Sequence, residues 1–383
     1  MSDRAVYITN IAACLPNAAV GNDDMERILG QVGPRPSRAR RTVLRSNRIT
    51  SRHYAIDPET LQPNYSNASM TAEAVRGLVD DQLSLAEIHC LSCGTTIADQ
   101  IIPSHASMVQ GELQLQACEV VATSGVCASG ISALKYAYMS VLSGQHKNAV
   151  ATGSDMASAI MNARNFNEEI EANTEALAKN PELAFEKDFL RWMLSDGAGA
   201  ALLRDKPRTD GLSLRIDWLD IISYAGETEP CMYAGAIKND DATLTGWQSF
   251  SQQQRAELSI MSVKQDVKLL NENIVRYTVE KPLIELREKY QLCAEDIDWL
   301  IPHYSSNYFR DKLLLGLRAA GLDIPQQRWF TNLSTKGNTG AASMYIMLEE
   351  LFSSGKLSKG QTLLCYVPES GRFSTAFLHL TVV

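Results

Sequence analysis

Apolar strands and helical patterns alternate along the first half of the chain. Apolar runs predict strands at V-Y-I-T-N-I-A-A-C-L-P, C-E-V-V-A-T-S and N-A-V-A-T-G-S-D-M. Between them, S-N-A-S-M-T-A-E-A-V-R-G-L-V-D is a capped amphipathic helix, and G-I-S-A-L-K-Y-A-Y-M-S-V-L-S-G is a long apolar helix that ends at a glycine. Strands that are apolar throughout are typical of a sheet covered by helices, so we predict an α/β fold.

An acidic stretch interrupts this alternation at about residues 165–192. It is rich in helix formers, and we interpret it as a helical insert that serves as a lid or a dimer arm. The strand L-S-D-G-A-G-A-A-L-L follows it, and then a turn-rich segment at 204–211. We therefore predict two domains, an N-terminal half at 1–204 that includes the insert and a C-terminal half at 205–383.

The second half of the chain repeats the plan of the first. A long helix is predicted from M-S-V-K-Q to R-E-K-Y, followed by the strands I-D-W-L-I-P-H and Q-T-L-L-C-Y-V-P. The segments V-C-A-S-G-I-S-A-L-K-Y and G-N-T-G-A-A-S-M-Y-I-M each place a polar residue and small residues before a tyrosine-bearing helix. This similarity indicates an internal duplication, with Cys127 and Asn338 at equivalent helix starts.

Composition places the chain among ordinary globular proteins. Of its 383 residues, 45% are hydrophobic and 21% are charged, and the net charge of −8 argues against a general nucleic-acid binder. The N-terminus does not resemble a signal peptide, and no apolar window approaches the roughly 18 residues of a membrane span. We expect a cytoplasmic protein that binds neither nucleic acid nor membrane.

One basic segment departs from this acidic background. Seven arginines and no acidic residue lie between Arg35 and Arg52. Because no nearby carboxylate in the sequence neutralises them, the segment predicts a docking site for phosphate or for an acidic partner. A solvated arginine-rich loop is the alternative.

The chain has eight scattered cysteines, which are expected to be reduced thiols in a cytoplasm. Cys90 and Cys93 form a C-x-x-C, but no second pair has the spacing of a zinc site. We interpret both as small apolar residues of a buried strand and expect no metal site.

Cys127 is the candidate nucleophile. Small residues surround it, which permits a sharp strand-to-helix turn and leaves space for a substrate at the sulfur. The peptide dipoles of a helix N-terminus favour the thiolate, so its pKa is expected to fall. A buried structural cysteine is the alternative.

Two further residues provide the groups that such a nucleophile needs. His303 ends a predicted apolar strand, and Asn338 lies between glycines in K-G-N-T-G. Two hydrogen-bond donors directed at one oxygen stabilise a developing enolate, and the amide of Cys127 is a candidate oxyanion donor. A core histidine and a helix cap are the respective alternatives.

These residues lie in motifs that resemble a known family, β-ketoacyl-acyl-carrier-protein synthase III of the thiolase-fold condensing enzymes. The resemblance runs nearly end to end. It rests on T-T-I-A-D-Q-I-I-P-S-H-A-S-M-V-Q, V-C-A-S-G, S-D-G-A-G-A, D-W-L-I-P-H and G-N-T-G-A-A-S, in the family's order. It implies a five-layered αβαβα thiolase fold with two duplicated halves, a homodimer, and Cys127, His303 and Asn338 as the catalytic triad.

The resemblance also implies a two-step reaction without a cofactor. Cys127 takes an acyl group from a coenzyme A or acyl-carrier-protein thioester. A second thioester, malonyl or β-ketoacyl, then forms an enolate that His303 and Asn338 hold while it attacks the acyl-cysteine. Arg45 and Arg48 lie where the family's contacts to coenzyme A and carrier protein begin, and they are the candidates for phosphate contact.

Some segments depart from the family pattern. The histidine is followed by Y-S-S-N, the glycine-rich closing loop is replaced by P-E-S-G-R-F-S-T, and the acidic insert is long. These features favour specialised lipid or polyketide biosynthesis, including ketosynthase/cyclases that make a cyclic product from two acyl thioesters. Glu369 is then a candidate substrate-site residue and an additional base, or else a carboxylate in a surface turn.

Three other classes compete with a condensing enzyme. A cysteine hydrolase lacks its local nucleophile signature here. A degradative thiolase needs a second catalytic cysteine, for which Cys365 is the candidate, although it lies in a predicted apolar strand. A non-catalytic partner subunit that only binds carrier protein is the third, but such subunits often lose the nucleophile.

Overall fold

The computed structural model describes residues 4–32, 36–37, 40–166 and 190–383. The predicted helical insert at about 165–192 lies almost wholly outside the described residues. No helix in the described ranges is both long and apolar enough to cross a membrane.

Most strands of the central sheet match the predicted apolar runs, but the strands Leu214–Ser223 and Ser374–Val382 were not predicted. Within the described chain, nine strands form this sheet: β1 Val6–Cys14, β4 Cys90–Thr95, β5 Glu119–Ser124, β6 Asn148–Asp155, β7 Gly197–Arg204, β8 Leu214–Ser223, β13 Trp299–Pro302, β14 Thr362–Glu369 and β15 Ser374–Val382. Short strands form three additional pairs: β2 Val20–Gly21 with β3 Ser51–Arg52, β9 Met232–Tyr233 with β12 Lys264–Gln265, and β10 Ala236–Lys238 with β11 Leu244–Gly246.

The helices lie on both faces of the sheet. Their bounds are α1 Met25–Leu29, α2 Arg40–Asn47, α3 Asn67–Arg76, α4 His105–Leu113, α5 Ser129–Ser143, α6 Ala157–Met161, α7 Gln252–Glu257, α8 Val267–Val275, α9 Lys281–Tyr290, α10 Arg310–Ala319, α11 Leu333–Lys336 and α12 Ser343–Ser353. The predicted cap of α3 is present, because Ser66 and Ser69 form a reciprocal capping box.

The predicted long helix of the second half begins later than expected and is not uniform. It starts at Val267, where the Asp266 side chain accepts a hydrogen bond from Leu269 N. A π-helical turn, Arg276–Glu280, separates α8 from α9. The residues before Asp266 form β12 instead of helix, because they pair with β9.

Both halves of the chain arrange their strands in the same order. In the first half the order across the sheet is β5-β4-β6-β7-β1. The third of these strands along the chain, β5, therefore lies at one end beside the second, β4, and the first, β1, lies at the other end. The second half has the order β13-β14-β15-β8, and Trp329 forms a parallel bridge to Leu300 where a third strand would lie. This shared order agrees with the duplication inferred from sequence. The predicted boundary between residues 204 and 205 falls at the end of β7 and stays a prediction.

The apolar clusters show five layers. The outer helices α3 and α4 pack on the first half of the sheet, and α8, α9 and α10 pack on the second half. Between the two halves lie α5 and α12, which contact strands of both. Alternate residues of one strand therefore face different layers. In β4, Cys90 faces the central helices and Cys93 faces the outer ones, as the prediction of a buried strand requires.

Close packing of α5 against the chain before α12 brings the two candidate motifs together. A β-carbon at Gly130 or Gly153 would collide with the carbonyl oxygen of Ala341. The Tyr345 hydroxyl donates to the carbonyl oxygen of Gly130 over 2.8 Å. The small residues of both motifs therefore allow the Cys127 turn and the Asn338 loop to approach the same cavity.

Candidate active site

Cys127 lies in a tight turn between β5 and α5. The turn is closed by Ser129, whose amide and hydroxyl both donate to the carbonyl oxygen of Val126, over 3.1 and 2.7 Å. Thr123, at the end of β5, donates its hydroxyl to the carbonyl oxygen of Ser129. These local bonds hold the sulfur at the start of α5, as the small-residue motif predicted.

His303 and Asn338 are held by backbone contacts and keep side-chain donors available. The amide of His303, directly after β13, donates to Tyr366 O over 2.8 Å. The amide of Asn338 donates to Met193 O, and its side-chain oxygen accepts from Gly340 N over 3.0 Å. This last bond leaves the side-chain nitrogen of Asn338 to donate to a ligand.

All three candidate catalytic residues line one cavity, which is partly open to solvent. Its wall is mostly apolar: Leu190, Met193, Met232, Leu270, Ile274, Val275, Val279, Phe309 and Leu313. Val275 directly precedes the π-helical turn and Val279 lies within it, and such turns are frequent at functional sites. Tyr304, Ser305, Pro368 and Ser370 also line the cavity, so both loops that depart from the family pattern reach it.

Burial shifts the ionisation of the site. It lowers the pKa of His303 to about 4, so the imidazole is neutral at neutral pH. Burial raises the pKa of the Cys127 thiol, and the carboxylates of Asp155 and Glu369 raise it further. The expected fall of this pKa at the helix N-terminus is therefore wrong, because desolvation and two nearby carboxylates outweigh the peptide dipoles. The neutral imidazole of His303 keeps one N–H, which can donate a hydrogen bond to an oxygen in the cavity.

Asp155 is a buried residue whose importance the sequence reasoning missed. Its carboxylate accepts hydrogen bonds from Ala341 N over 2.7 Å and from Thr96 N over 2.8 Å. Burial raises the pKa of this carboxyl to about 6. Asp155 thus ties the end of β6 to the loop that carries Asn338. A carboxylate at the end of the small-residue strand N-A-V-A-T-G-S-D was the signal available in the sequence.

Glu369 lies behind the nucleophile turn. One carboxylate oxygen accepts from Val126 N over 2.9 Å and from Ala128 N over 3.1 Å, the two amides that flank Cys127. Burial raises the pKa of Glu369, and these two hydrogen bonds oppose the shift. The alternative of a solvated surface-turn carboxylate is therefore wrong. A direct contact of Glu369 with substrate stays a prediction, because its neighbours Pro368 and Ser370 are the ones that line the cavity.

Removing the charge of Glu369 is expected to make Cys127 more reactive. Glu369→Gln keeps an oxygen that can accept from the two amides but loses the anion that raises the thiol pKa. At pH 8 we expect alkylation of Cys127 by iodoacetamide to be about threefold faster or more, because a lower thiol pKa raises the fraction of reactive thiolate. Peptide mass spectrometry separates Cys127 from the exposed Cys293.

The matched control is Glu112→Gln, the same change on the exposed surface of α4. It should leave the alkylation rate of Cys127 unchanged. A rate in Glu369→Gln that equals or falls below that of the unaltered protein, with the fold intact, would show that Glu369 does not depress the reactivity of this thiol.

Some arginines of the segment between Arg35 and Arg52 are already engaged in contacts within the protein. Arg40 forms an ion pair with Glu26 at 2.8 Å, and Arg52 is buried and donates to Asn22 and to the carbonyl oxygen of Trp192. The expectation that no carboxylate neutralises this cluster is therefore wrong for Arg40, because α1 brings Glu26 to it. Arg45 and Arg48 are exposed, and α2 contacts the turn Asn307–Phe309, whose last residue lines the cavity.

Sequence reasoning also missed the short ribbon of β9 and β12. Met232 and Gln265, which pair across this ribbon, both line the cavity. Strands of two residues are too short to show a hydrophobic period, so the sequence offered no signal for them. Cys365 does not line the cavity and packs between the two halves of the sheet with the central helices. This position gives no support to a degradative thiolase.

Comparisons with known proteins agree with this architecture. Residues 46–208 match the family model described as beta-ketoacyl synthase, N-terminal domain, and residues 287–376 match 3-oxoacyl-(acyl-carrier-protein) synthase III C terminal. The beta-ketoacyl-(acyl-carrier-protein) synthase III of Xanthomonas oryzae pv. oryzae is 25% identical over 368 residues, covering 93% of this chain and 92% of the relative.

Two solved structures show the same fold. AbyA1, a tetronic acid condensing enzyme, aligns with a TM-score of 0.75 at 18% identity, covering 98% of this chain and 99% of that one. Xanthomonas campestris OleA, in the C143S form with bound lauric acid and lauroyl-CoA, aligns with a TM-score of 0.73 at 17% identity, covering 99% of each chain. The fold is thus the thiolase fold predicted from the motifs, and the chain belongs to the β-ketoacyl-acyl-carrier-protein synthase III-like condensing enzymes.

Proposed function

We propose that this acyltransferase is a ketosynthase that joins an acyl group on Cys127 to a second thioester by Claisen condensation, in specialised lipid or polyketide biosynthesis. The observation that carries the proposal is the convergence of Cys127, His303 and Asn338 on one largely apolar cavity. A non-catalytic carrier-binding subunit would not need a nucleophile and two enolate donors in one place.

The first step is acyl transfer. The sulfur of Cys127 attacks the carbonyl carbon of an acyl thioester, the bond to the carrier sulfur breaks, and the carrier thiol leaves with the proton. The apolar wall receives the acyl chain, and each buried methylene contributes about 0.8 kcal/mol.

The second step is carbon–carbon bond formation. A malonyl thioester loses CO2, or a β-ketoacyl thioester gives its α-proton to a general base, for which Glu369 is the candidate. The electron pair moves to the thioester oxygen as an enolate. Donors on His303 and Asn338 stabilise this oxygen. The α-carbon then attacks the acyl carbonyl, and the Cys127 sulfur leaves and regains a proton.

Surface features support the proposed carriers and assembly. Arg45 and Arg48 are exposed, and α2 contacts the turn whose Phe309 lines the cavity, which supports them as candidates for contact with the phosphates of coenzyme A or of a carrier protein's prosthetic group. For the homodimer, the support is β5 at the end of the sheet and the loop residues Ile101 and Ile102, which are 75% and 83% exposed. A second copy would cover the open edge of the sheet and these two exposed isoleucines.

Intact-protein mass tests the proposal. The protein is incubated with acetyl-, octanoyl- and lauroyl-thioesters of coenzyme A and of acyl carrier protein. We expect a gain of one acyl group, faster with octanoyl and lauroyl than with acetyl because of the apolar wall. A folded protein that gains no acyl group from any of these donors would favour the non-catalytic carrier-binding alternative.

A further inference from the structure

Apart from the candidate catalytic residues, the largely apolar cavity has polar side chains on the wall formed by the β9–β12 ribbon and the loop after β14. Gln265 is only 3% exposed, yet it lines the cavity. Its side-chain nitrogen donates to the hydroxyl oxygen of Ser370 over 3.1 Å, and Ser370 lines the cavity too. Polar side chains among apolar neighbours are the usual means by which a pocket selects a particular ligand.

The backbone holds this pair in place. Gln265 pairs with Met232 across the β9–β12 ribbon, and Cys231 N donates to Gly371 O over 2.8 Å. The ribbon is therefore bound to the loop that carries Ser370. Both polar groups stand on elements fixed by hydrogen bonds, so their positions are set before a substrate enters.

The pair lies at the nucleophile end of the cavity. Glu369, the neighbour of Ser370, accepts from the two amides that flank Cys127. A β-carbon on Gly371 would lie 3.4 Å from the side chain of Val126. The polar wall is thus close to the first carbons of an acyl group on the sulfur, whereas residues such as Leu270 and Ile274 on α8 line a separate, apolar wall.

Both polar groups have unused hydrogen-bonding capacity. The side-chain oxygen of Gln265 accepts no hydrogen bond from any residue in the described ranges. The Ser370 hydroxyl points to Met232 Sδ at 3.8 Å, and a thioether sulfur is a weak acceptor. This oxygen is not one of the fully buried unpaired atoms of the described residues, so it is open to the cavity, where a ligand hydroxyl would supply its donor.

We infer that Gln265 and Ser370 bind a hydroxyl group on carbon 2 or 3 of the acyl substrate, so that the enzyme selects hydroxyacyl thioesters. The hydroxyl donates to the Gln265 oxygen and accepts from the Ser370 hydroxyl, which satisfies both groups. A keto oxygen only accepts, so it leaves the Gln265 oxygen unpaired. A methylene satisfies neither group. The inference rests on the proposed acyl transfer to Cys127.

The test compares four coenzyme A thioesters of one chain length: octanoyl, 2-hydroxyoctanoyl, 3-hydroxyoctanoyl and 3-oxooctanoyl. The rate of Cys127 acylation is followed by intact mass at subsaturating thioester. We expect one of the two hydroxyacyl thioesters to acylate Cys127 at least about tenfold faster than octanoyl-coenzyme A, because a polar site discriminates strongly against a ligand that lacks the matching group. The rate with the 3-oxooctanoyl thioester should lie between the rates of that hydroxyacyl thioester and the octanoyl thioester.

Two variants separate this subsite from general damage. Gln265→Leu has a similar size and no polar group, and it should bring the hydroxyacyl-to-octanoyl ratio to about one while octanoyl acylation persists. Ser370→Ala should reduce the hydroxyacyl-to-octanoyl ratio partially. This second variant still tests the inference if Gln265→Leu does not fold. The octanoyl rate of each variant reports an intact active site, so the ratio isolates the polar subsite.

The outcomes distinguish this inference from the proposed function. Acylation by octanoyl with no preference for either hydroxyacyl thioester overturns the inference and leaves the acyl transfer standing. A preference that survives unchanged in both variants also overturns it, because the selectivity then comes from another part of the cavity. Failure of all four thioesters to acylate Cys127 overturns both.

Discussion

Cys127→Ala is expected to abolish acyl-enzyme formation completely. The thiol is the group that forms the covalent bond, and the other thiol candidate considered for the site, Cys365, does not line the cavity. Residual binding of the thioester leaves no mass change on the protein. The measurement is intact mass after incubation with the best acyl donor, followed by peptide mapping of the adduct in the unaltered protein.

The matched control removes a different thiol. Cys293 is exposed on the surface, and Cys293→Ala should acylate at the rate of the unaltered protein. An acyl adduct of equal yield in Cys127→Ala, or an adduct that maps to Cys293, would contradict the assignment. Product formed at the normal rate by Cys127→Ala would exclude a mechanism through this cysteine.

His303→Ala and Asn338→Ala are expected to separate the two steps of the reaction. Each variant keeps Cys127 and the apolar wall, so the acyl-enzyme should still form. Each loses a donor to the enolate, and removing one such donor costs about 100- to 1,000-fold in rate. The acyl-enzyme should therefore accumulate, while condensation with a malonyl or β-ketoacyl thioester falls by about that factor.

Controls of the same residue types lie away from the cavity. His379 bonds Asp217 on the β15–β8 pair, and Asn239 lies in the exposed β10–β11 hairpin. His379→Ala and Asn239→Ala should condense at nearly the normal rate. Normal condensation in either active-site variant would exclude that side chain as an enolate donor, and loss of acylation in Asn338→Ala would show that its role begins before condensation.

The sequence pattern alone predicted those helices and strands whose structure depends on a few neighbouring residues. The apolar strands β1, β4, β5, β6 and β7 and the capped helix α3 lie where periodicity predicts them, because burial and capping act over a few residues. The small-residue motifs around Cys127 and Asn338 were readable for the same reason. Two backbone segments can approach closely only where small residues such as glycine and alanine lie, and a cluster of such residues is easily seen in the sequence.

The sequence pattern gave wrong predictions where the structure or the ionisation of a residue depends on a segment distant in the sequence. The residues before Asp266 have a helical pattern but pair with β9, and the helix begins only after them. Arg40 has no acidic neighbour within the arginine segment, yet α1 brings Glu26 to it. The thiol pKa of Cys127 was expected to fall, but burial and two carboxylates distant in sequence raise it. Ionisation depends on the whole surrounding volume, which a short window does not contain.

The amino-acid sequence by itself determined the α/β class, the duplicated plan and the identity of the three candidate catalytic residues, because hydrophobic period and small-residue motifs are local properties. The tertiary structure decided which of those residues share a cavity, where Glu369 and Asp155 place their charges, and that Gln265 reaches the cavity wall. Those contacts join segments as distant as Val126 and Glu369. Their geometry depends on how the layers pack, and packing is a property of the folded chain as a whole.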